Sequence, residues 1–267
     1  MSNSSTRATP RVRKTKHIAF KPVDDGIRPA DAIQAQIRGM ISSRTLKAGD
    51  RLPSERDLAE QFSVSRNSVR QALRSLTDSG LLDVKKGASG GAFIRDGGGD
   101  AVRAGLGDLY SLGTIQPTHL TEARLLIGVE IVRLACERRT DEELEELEAN
   151  VRAAKAAVQA GDVKRRTQVN LEFYQVLARM THNPLLEIIT DAVLAMTQRF
   201  VEEFMRTTDA TVMPFRYKLL ADLKAQDADA AAEKMREHLL RLQKIYLAEA
   251  TARSRPRSRP ARTSAPR

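Results

Sequence analysis

Apolar residues recur at intervals of three and four positions in three short stretches near the start of the chain. This spacing places them on one face of an α-helix, the face that packs against a protein interior. The three sets are Ile33, Ile37, Met40 and Ile41; Leu58 and Phe62; and Val69, Ala72, Leu73 and Leu76. Three short amphipathic helices are therefore expected between residues 29 and 80.

Residues with known preferences for helix ends mark the boundaries of these helices. Pro29 suits the first turn of the first helix, where its missing N–H is not needed. Ser54 and Ser65 are good N-cap residues for the second and third helices, and Asp57 completes the spacing of a capping box with Ser54. Gly80 suits the end of the third helix.

Two short segments with loosely alternating apolar residues follow, at 81–86 and 92–94, on either side of a glycine-rich turn. This pattern is typical of a β-hairpin. Short helices joined by a tight turn and followed by a hairpin predict a winged helix-turn-helix domain, with the hairpin as its wing.

The rest of the chain shows only helical periodicity. Six helices are predicted, at about 101–112, 118–139, 141–160, 162–181, 184–206 and 212–250, the last broken near residues 226–229. Thr140 with Glu143 repeats the capping-box spacing, and Pro184 fits a first turn. Because the connections are short, we expect an all-α antiparallel helical bundle, and a mainly α protein as a whole.

Gly97, Gly98 and Gly99 form the strongest candidate domain boundary. The predicted organisation is a disordered basic arm at 1–22, the winged helix-turn-helix domain at 23–96 and a linker with a short helix at 97–116. A helical domain follows at 117–251, and a disordered basic tail at 252–267.

The net charge of +10 is concentrated in the two terminal segments. Residues 1–22 and 252–267 each hold 6 Lys or Arg and no acidic residue, whereas residues 96–251 carry an excess of acidic side chains. Net charge alone therefore does not make the folded part a nucleic-acid binder. Specific binding must come from a few well-placed arginines, and the tails are expected to add salt-sensitive affinity.

Composition excludes several classes of protein. Cys136 is the single cysteine, so no disulfide can form within the chain, and a reducing, cytoplasmic location is expected. No stretch of about 18 apolar residues is present, so we expect no membrane partner. The sequence has no nucleophile elbow, no Ser/His/Asp set and no phosphate-binding loop, so we expect neither an enzyme nor a cofactor.

The third predicted helix carries polar residues opposite its core-facing side. Arg66, Asn67 and Arg70 lie there, and the two arginines are one helical turn apart. Arginine reads guanine through two hydrogen bonds, and asparagine pairs with adenine in the same way. This face is therefore expected to enter the major groove of double-stranded DNA.

Other residues are expected to assist that contact. Ser65 stands at a helix N-terminus, where the helix dipole favours a phosphate. Arg56 lies on the first turn of the preceding helix, and the wing carries Lys85, Lys86 and Gly87. The alternative is a solvated polar face with incidental arginines, but the capped helix pair, Arg56 and the basic wing together favour DNA binding.

This part of the chain resembles the GntR family of bacterial transcription regulators. The matching segments are residues 49–59 (GDRLPSERDLA), residues 64–73 (VSRNSVRQAL) and Gly80-Leu81 with the wing. The helical remainder is similar to the FCD effector-binding domain of the FadR-type subfamily, with Glu122 and Arg124 early, residues 183–186 (NPLL) in the middle and residues 236–239 (REHL) near the end.

The resemblance implies a homodimer on a palindromic operator, with Arg56, Ser65, Arg66, Asn67, Arg70 and Gly87 at the positions of its DNA contacts. We therefore expect a transcription regulator, a repressor, controlled by a small molecule. The alternative is an architectural DNA-binding protein without an effector.

Many FCD domains hold a divalent metal with one Asp and three His, and this chain departs from that set. The four positions fall at Asn170, Tyr174, Arg216 and His238. Arginine has no lone pair to offer, and a single histidine does not hold Zn²⁺ against water. We therefore expect no metal.

A different ligand is expected at these positions. Arg124, which matches the early Glu-x-Arg of the family, and Arg216 would together bind an organic anion, either a carboxylate or an acyl thioester. Asn170, Tyr174 and His238 would complete the site. The open alternative is that Arg124 forms a structural ion pair with Glu122, Glu130 or another helix.

Overall fold

The computed structural model describes residues 19–23, 26–87, 90–95, 99–204 and 212–254. Most of the predicted basic arm and tail, and Gly97 and Gly98 of the candidate boundary, lie outside these residues. The described chain forms two compact units, one up to Ala101 and one from Val102.

The first unit contains three helices and one hairpin. Its elements are α1 (Pro29–Ser42), α2 (Glu55–Phe62), α3 (Arg66–Asp78), β1 (Leu82–Lys85) and β2 (Gly91–Ile94). The strands are antiparallel, with Leu82 opposite Ile94 and Lys85 opposite Gly91. This order confirms the predicted winged helix-turn-helix.

The core of the first unit is built from the apolar helix faces that the spacing predicts. The predicted side chains on α2 and α3 are buried, and Ile33 and Ile37 on α1 join them, whereas Met40 and Ile41 lie at the edge. The hydroxyls of Ser54 and Ser65 accept the N–H groups of Asp57 and Ser68, so both predicted caps are confirmed. The helices are thereby fixed at their N-terminal ends, where the polar residues of α3 are displayed.

The predicted arm at 1–22 is wrong for its last residues. Phe20 is only 8% exposed and its ring lies 4.7 Å from that of Phe62. The backbone of Lys21 exchanges hydrogen bonds with the side-chain amide of Gln36. Burial of the Phe20 ring is favourable because it removes apolar surface from water. The sequence analysis missed it because the neighbouring residues are basic and polar and show no hydrophobic pattern.

The second unit is helical throughout its described residues. It contains all but the first two residues of α4 (Asp100–Ser111), followed by α5 (Pro117–Arg138), α6 (Asp141–Gln159), α7 (Val163–Arg179), α8 (Pro184–Phe204), α9 (Val212–Lys224) and α10 (Ala228–Ser254). The predicted break separates α9 from α10, where Gln226 has a φ of 54°. The tail predicted to start at 252 is wrong by three residues, because α10 continues to Ser254.

Both hydrogen bonds of the capping box at the start of α6 are present. The Glu143 N–H donates to Thr140 Oγ1 at 3.2 Å, and the Thr140 N–H donates to the Glu143 carboxylate at 2.9 Å. In the core of this unit, Cys136 is fully buried, and burial raises the pKa of its thiol. In the part of the chain that the structure describes, no helix has the length and apolar content needed to cross a membrane.

Phe20 provides a test of the corrected boundary. Replacing Phe20 with Ala removes a buried ring and is expected to lower the free energy of unfolding by about 3 kcal/mol. Urea denaturation followed by circular dichroism measures this change. The matched control is Ile27→Ala, which truncates a side chain that is 61% exposed and should change little. Equal stability of Phe20→Ala and the unaltered chain would contradict the packing described.

Candidate functional site

Helix α3 presents two opposite faces. Val69, Ala72, Leu73 and Leu76 point into the core, whereas Arg66, Asn67 and Arg70 are exposed. The three polar residues lie within the first two turns of the helix, so the structure brings them together on one surface, which we call the α3 face. Gln71 and Arg74 extend the exposed side.

Arg70 is held by a carboxylate that the sequence analysis did not identify. Its Nη2 lies 2.9 Å from Glu55 Oε2, on the first turn of α2. The hydrogen bond that Arg70 donates to Glu55, together with the negative charge of Glu55, raises the pKa of Arg70. Because both side chains are exposed, the pair contributes little to stability. It orients the guanidinium while leaving it able to exchange partners.

Arg56 and Ser65 flank the α3 face. The Arg56 side chain is 75% exposed, with Nε 3.5 Å from the Asp57 carboxylate. The Ser65 hydroxyl caps α3 and lies 2.9 Å from the Ser68 hydroxyl. A phosphate placed there would meet the N-terminal N–H groups of α3.

The wing is braced by a stack on Phe93. Lys85 Nζ lies 5.1 Å from the ring centre and the Arg51 guanidinium 5.9 Å from it. Arg51 also donates to the carbonyl of Gly90. At Gly90 a Cβ atom would lie 2.4 Å from the Lys85 carbonyl oxygen, so only glycine fits.

Lys86 and Gly87 are exposed on the same hairpin, and Gly87 has a φ of 109°, which favours glycine. All eight residues predicted to contact DNA therefore belong to the first unit, and all are solvent-accessible. This is the accessibility that a nucleic-acid contact needs. Their roles in binding remain predictions.

A small cavity lies between four helices of the second unit. Its volume is about 30 Å³, and it is partly open to solvent. Its wall is mostly aliphatic, with polar groups only from Arg124, Tyr174 and Thr190. The lining residues are Arg124, Ile127, Gly128, Ile131, Val132, Tyr174, Leu177, Thr190, Val193, Leu194, Met235 and Leu239.

Arg124 is a buried cation on this wall, with 9% of its surface exposed. Its guanidinium lies 5.1 Å from the ring centre of Tyr174 and 5.9 Å from that of Tyr246. Within the described ranges, no carboxylate lies at ion-pair distance from it, and Glu130 pairs with Arg133 instead. Burial lowers the pKa of Arg124 and the two tyrosines raise it, with a net upward shift, so the group stays charged.

Arg216, on α9, is buried more deeply, at 1% exposure. Its Nη2 donates to Asn170 Oδ1 at 2.9 Å, and its guanidinium lies 4.4 Å from the centre of the Phe173 ring. Burial lowers its pKa to about 10, which leaves it charged at neutral pH. Among the described residues, nothing accepts a hydrogen bond from its Nε or Nη1.

His238, on α10, lies between Tyr174 and a third arginine, Arg241. The Nδ1 atom lies 2.8 Å from Arg241 Nη2, and Nε2 lies 3.1 Å from the Tyr174 hydroxyl. Because arginine only donates, Nδ1 must accept, so the ring is neutral and its proton sits on Nε2. The Tyr174 oxygen accepts that proton's hydrogen bond. The Tyr174 O–H is then left to donate to another group. Burial raises the pKa of Tyr174, so its hydroxyl stays protonated.

The structure does not bring the five predicted effector residues into one site. Arg124 and Tyr174 line the cavity, His238 contacts Tyr174, and Arg216 is hydrogen-bonded to Asn170 outside the cavity lining. The sequence analysis did not identify Thr190, Gly128 or Tyr246. Nothing in their spacing distinguishes a cavity-lining residue from a core residue on the same apolar face.

The residues present do not fit a divalent metal. At the four positions that the FCD resemblance aligns with metal ligands, Arg216 places a cation beside Asn170, and the lone pair of His238 Nδ1 faces Arg241. Neither arrangement offers an anionic or free imidazole ligand. In the ranges described, no three His, Cys, Asp or Glu residues are grouped to hold a metal ion.

Comparison with known proteins matches each unit to a family model. Residues 29–93 match the bacterial regulatory proteins of the gntR family, and residues 119–241 match the FCD domain. The first match covers the helices and hairpin that carry the α3 face. The second covers every residue that lines the cavity.

Individual relatives agree with these matches. The chain is 29% identical over 196 residues to the HTH-type transcriptional repressor NanR of Enterobacter sp. strain 638, covering 72% of each protein. It is 34% identical over 171 residues to an uncharacterized HTH-type transcriptional regulator of Mycobacterium tuberculosis, covering 64% of this chain and 68% of that protein. A solved structure, Streptococcus agalactiae GntR, shares the fold with a TM-score of 0.60 at 24% identity, over 81% of this chain and 99% of that one.

The prediction that this chain binds no metal can be tested by restoring the one Asp and three His that the FCD resemblance places at these positions. The triple variant Asn170→Asp, Tyr174→His, Arg216→His would provide one carboxylate and, with His238, three imidazoles. We expect about one divalent ion per chain in this variant after dialysis, measured by elemental analysis. The unaltered chain and the single variant Asn170→Asp should hold substoichiometric metal. One tightly bound ion per unaltered chain would show that the donor set has been misjudged.

Proposed function

Because the chain belongs to the GntR family of bacterial regulatory proteins and carries an FCD domain, we propose that it is a transcription repressor. In this proposal a homodimer binds a palindromic operator through the α3 faces of its two copies. A small organic anion, bound in the helical unit, changes the affinity for the operator. The repressor role is supported by the relative NanR, which is named as a transcriptional repressor.

The operator contact rests on the exposure of three side chains that read bases. Arg66 and Asn67 are free of the core and begin α3, where a helix meets the major groove most closely. Arg70 is oriented by Glu55 in the absence of DNA and would exchange this partner for a guanine. Arg56, Ser65, Lys85, Lys86 and Gly87 would contact the backbone or a groove edge.

One observation carries the effector proposal: two buried guanidinium groups in the helical unit have no carboxylate partner among the described residues. Burying an unpaired charge costs free energy, and aromatic faces and one amide offset only part of that cost. An anion supplied from outside would complete the pairing. Arg124 would contact it directly, and Arg216 would act beside it, at the position where related domains place a metal.

Binding can control DNA affinity only if the ligand favours one conformation of the dimer. The cavity is lined by residues of α5, α7, α8 and α10, so an anion that draws Arg124 and Tyr174 together acts on four helices at once. The helix arrangement favoured by the anion would be the one with weaker operator binding.

An architectural protein that coats DNA is the alternative, and the terminal basic segments favour it. The two functions differ in selectivity. A regulator prefers its operator over random DNA by about 10³-fold or more. A preference below about tenfold would favour the architectural function.

The DNA proposal predicts separate effects on specific and non-specific binding. Arg66→Ala is expected to cost about 1–3 kcal/mol of operator discrimination, because a bidentate base contact is lost. Gel-shift titration on the DNA upstream of its own gene, with random DNA as competitor, measures this. Arg28→Ala removes one exposed charge from the same unit and should leave the discrimination unchanged. If Arg66→Ala loses affinity equally for the upstream DNA and for random DNA, Arg66 contacts only phosphates.

The effector proposal predicts loss of response without loss of DNA binding. A panel of organic acids and acyl thioesters is added to the gel shift, and at least one is expected to release the operator. Arg124→Gln should weaken that response by about tenfold or more, because a charge-assisted hydrogen bond is worth about 1.5–3 kcal/mol. Arg133→Gln, on the same helix and paired with Asp229, is the matched control.

The variant Arg216→Ala tests whether Arg216 contributes to the effector response in addition to Arg124. If Arg216 supports the anion, its loss also weakens the response. Normal operator release in Arg216→Ala, with Arg124→Gln unresponsive, would confine the site to the cavity and remove Arg216 from it.

A further inference from the structure

Glu55 is a carboxylate on the surface that is proposed to meet DNA. It lies on the first turn of α2, next to Arg56 in the chain, and its side chain is 42% exposed beside Arg70 of the α3 face. DNA phosphates repel a carboxylate, so an acidic side chain at this place weakens binding to DNA of any sequence. It is compatible with tight binding only where a hydrogen-bond donor of the DNA meets it.

The ion pair between Glu55 and Arg70 uses only part of each side chain. Arg70 donates from both Nε and Nη2 to the same carboxylate oxygen, Glu55 Oε2, at 3.3 and 2.9 Å. Within the ranges that the structure describes, Arg70 Nη1 and Glu55 Oε1 have no hydrogen-bond partner. The pair therefore presents unused N–H donors beside an unused anionic acceptor, on an arginine side chain that is 66% exposed.

One base pair displays the complement of these groups in the major groove. Guanine presents two acceptors, N7 and O6, that an arginine contacts together, and the cytosine paired with it presents its N4 amine to a carboxylate. An A·T pair offers an amine on adenine but lacks the two purine acceptors side by side. A phosphate accepts from the arginine and has no donor for the carboxylate. A C·G pair therefore satisfies Arg70 and Glu55 together.

The exchange of partners at Arg70 makes Glu55 sensitive to what Arg70 contacts. When the guanidinium turns to a guanine, the carboxylate loses its counter-charge while DNA phosphates approach. A charge that leaves water without a partner costs free energy, and the cytosine amine offsets that cost. A phosphate that draws Arg70 away leaves Glu55 uncompensated, so the carboxylate opposes binding to random DNA.

We propose that Glu55 is a specificity-determining residue of the operator contact, whose carboxylate accepts a hydrogen bond from the N4 amine of the cytosine paired with the guanine that Arg70 contacts. This inference rests on the proposed operator contact of the α3 face. It adds an acidic base-reading side chain on α2 to the basic and amide side chains on α3. It also assigns a C·G base pair to each half of the operator.

The first test compares the full chain with Glu55→Gln, which removes the negative charge and keeps the size of the side chain. Fluorescence anisotropy measures binding to the DNA upstream of its own gene and to random DNA. Affinity for random DNA should rise, and the preference for the upstream DNA should fall by about tenfold or more, because a hydrogen bond to a charged group is lost. Urea denaturation should show unchanged stability, because the ion pair is exposed.

The matched control is Glu60→Gln, which removes the same charge from an exposed position of the same helix. Loss of this charge should strengthen binding to both DNAs by the same factor and leave the preference unchanged. If Glu55→Gln behaves in the same way, Glu55 is an ordinary surface charge and the inference is wrong.

The second test removes the cytosine amine instead of the carboxylate. Each cytosine of the bound DNA is replaced in turn by 2-pyrimidinone, which keeps the ring and lacks the N4 group. At one cytosine in each half-site, the unaltered chain should lose about tenfold in affinity, whereas Glu55→Ala should lose none. If Glu55 only orients Arg70, every replacement has the same effect on both proteins, and the inference is wrong.

The outcomes also separate this inference from the proposed function. If the unaltered chain prefers the upstream DNA by about 10³-fold or more and Glu55→Gln keeps that preference, the operator function stands and the role of Glu55 is wrong. If the preference of the unaltered chain is below about tenfold, both are wrong.

Discussion

The helical unit depends on how it accommodates two guanidinium groups inside an apolar bundle. Arg124 and Arg216 are both buried, and neither meets a carboxylate in the described part of the chain. Aromatic rings cover them and Asn170 accepts one hydrogen bond, which reduces the desolvation cost without removing it. Tyr174 stands between the two cations, and His238 holds its hydroxyl in place. A bundle built this way is suited to receive negative charge.

The arginine at 216 also gives a physical reason for the missing metal ligands. A divalent ion and a guanidinium cannot share one position, because like charges in a low-dielectric interior repel strongly. At the position that the FCD resemblance aligns with a metal ligand, this chain has the positive charge of the Arg216 side chain. Its guanidinium group donates hydrogen bonds in fixed directions. The neighbouring changes are consistent with this: Asn170 accepts from a cation without adding charge, and Tyr174 provides a neutral hydroxyl.

In the first unit, the two opposite faces of helix α3 have different roles. Helix α3 buries one side in the three-helix core and exposes the other, where the residues proposed to contact DNA lie, because its apolar residues recur with the helical period. Glu55 and the Phe93 stack pre-arrange Arg70 and the wing without burying them. Exposed pairs of this kind are weak, so the same side chains can be ordered in the free protein and available to DNA.

The amino-acid sequence determined the elements, because helix periodicity, caps and turn glycines act over a few residues. It placed the α3 residues on one exposed face, and the resemblance to the FCD domain identified Arg124, Tyr174 and Arg216 as candidate effector-binding residues. Phe20 was missed because its burial depends on contact with Phe62, more than forty positions away. Only the tertiary structure showed that Arg124 lacks an ion-pair partner, that Arg216 lies outside the cavity wall, and that Thr190 and Gly128 belong to it. A cavity exists between helices, so its lining depends on how helices pack against each other, and no local pattern records that.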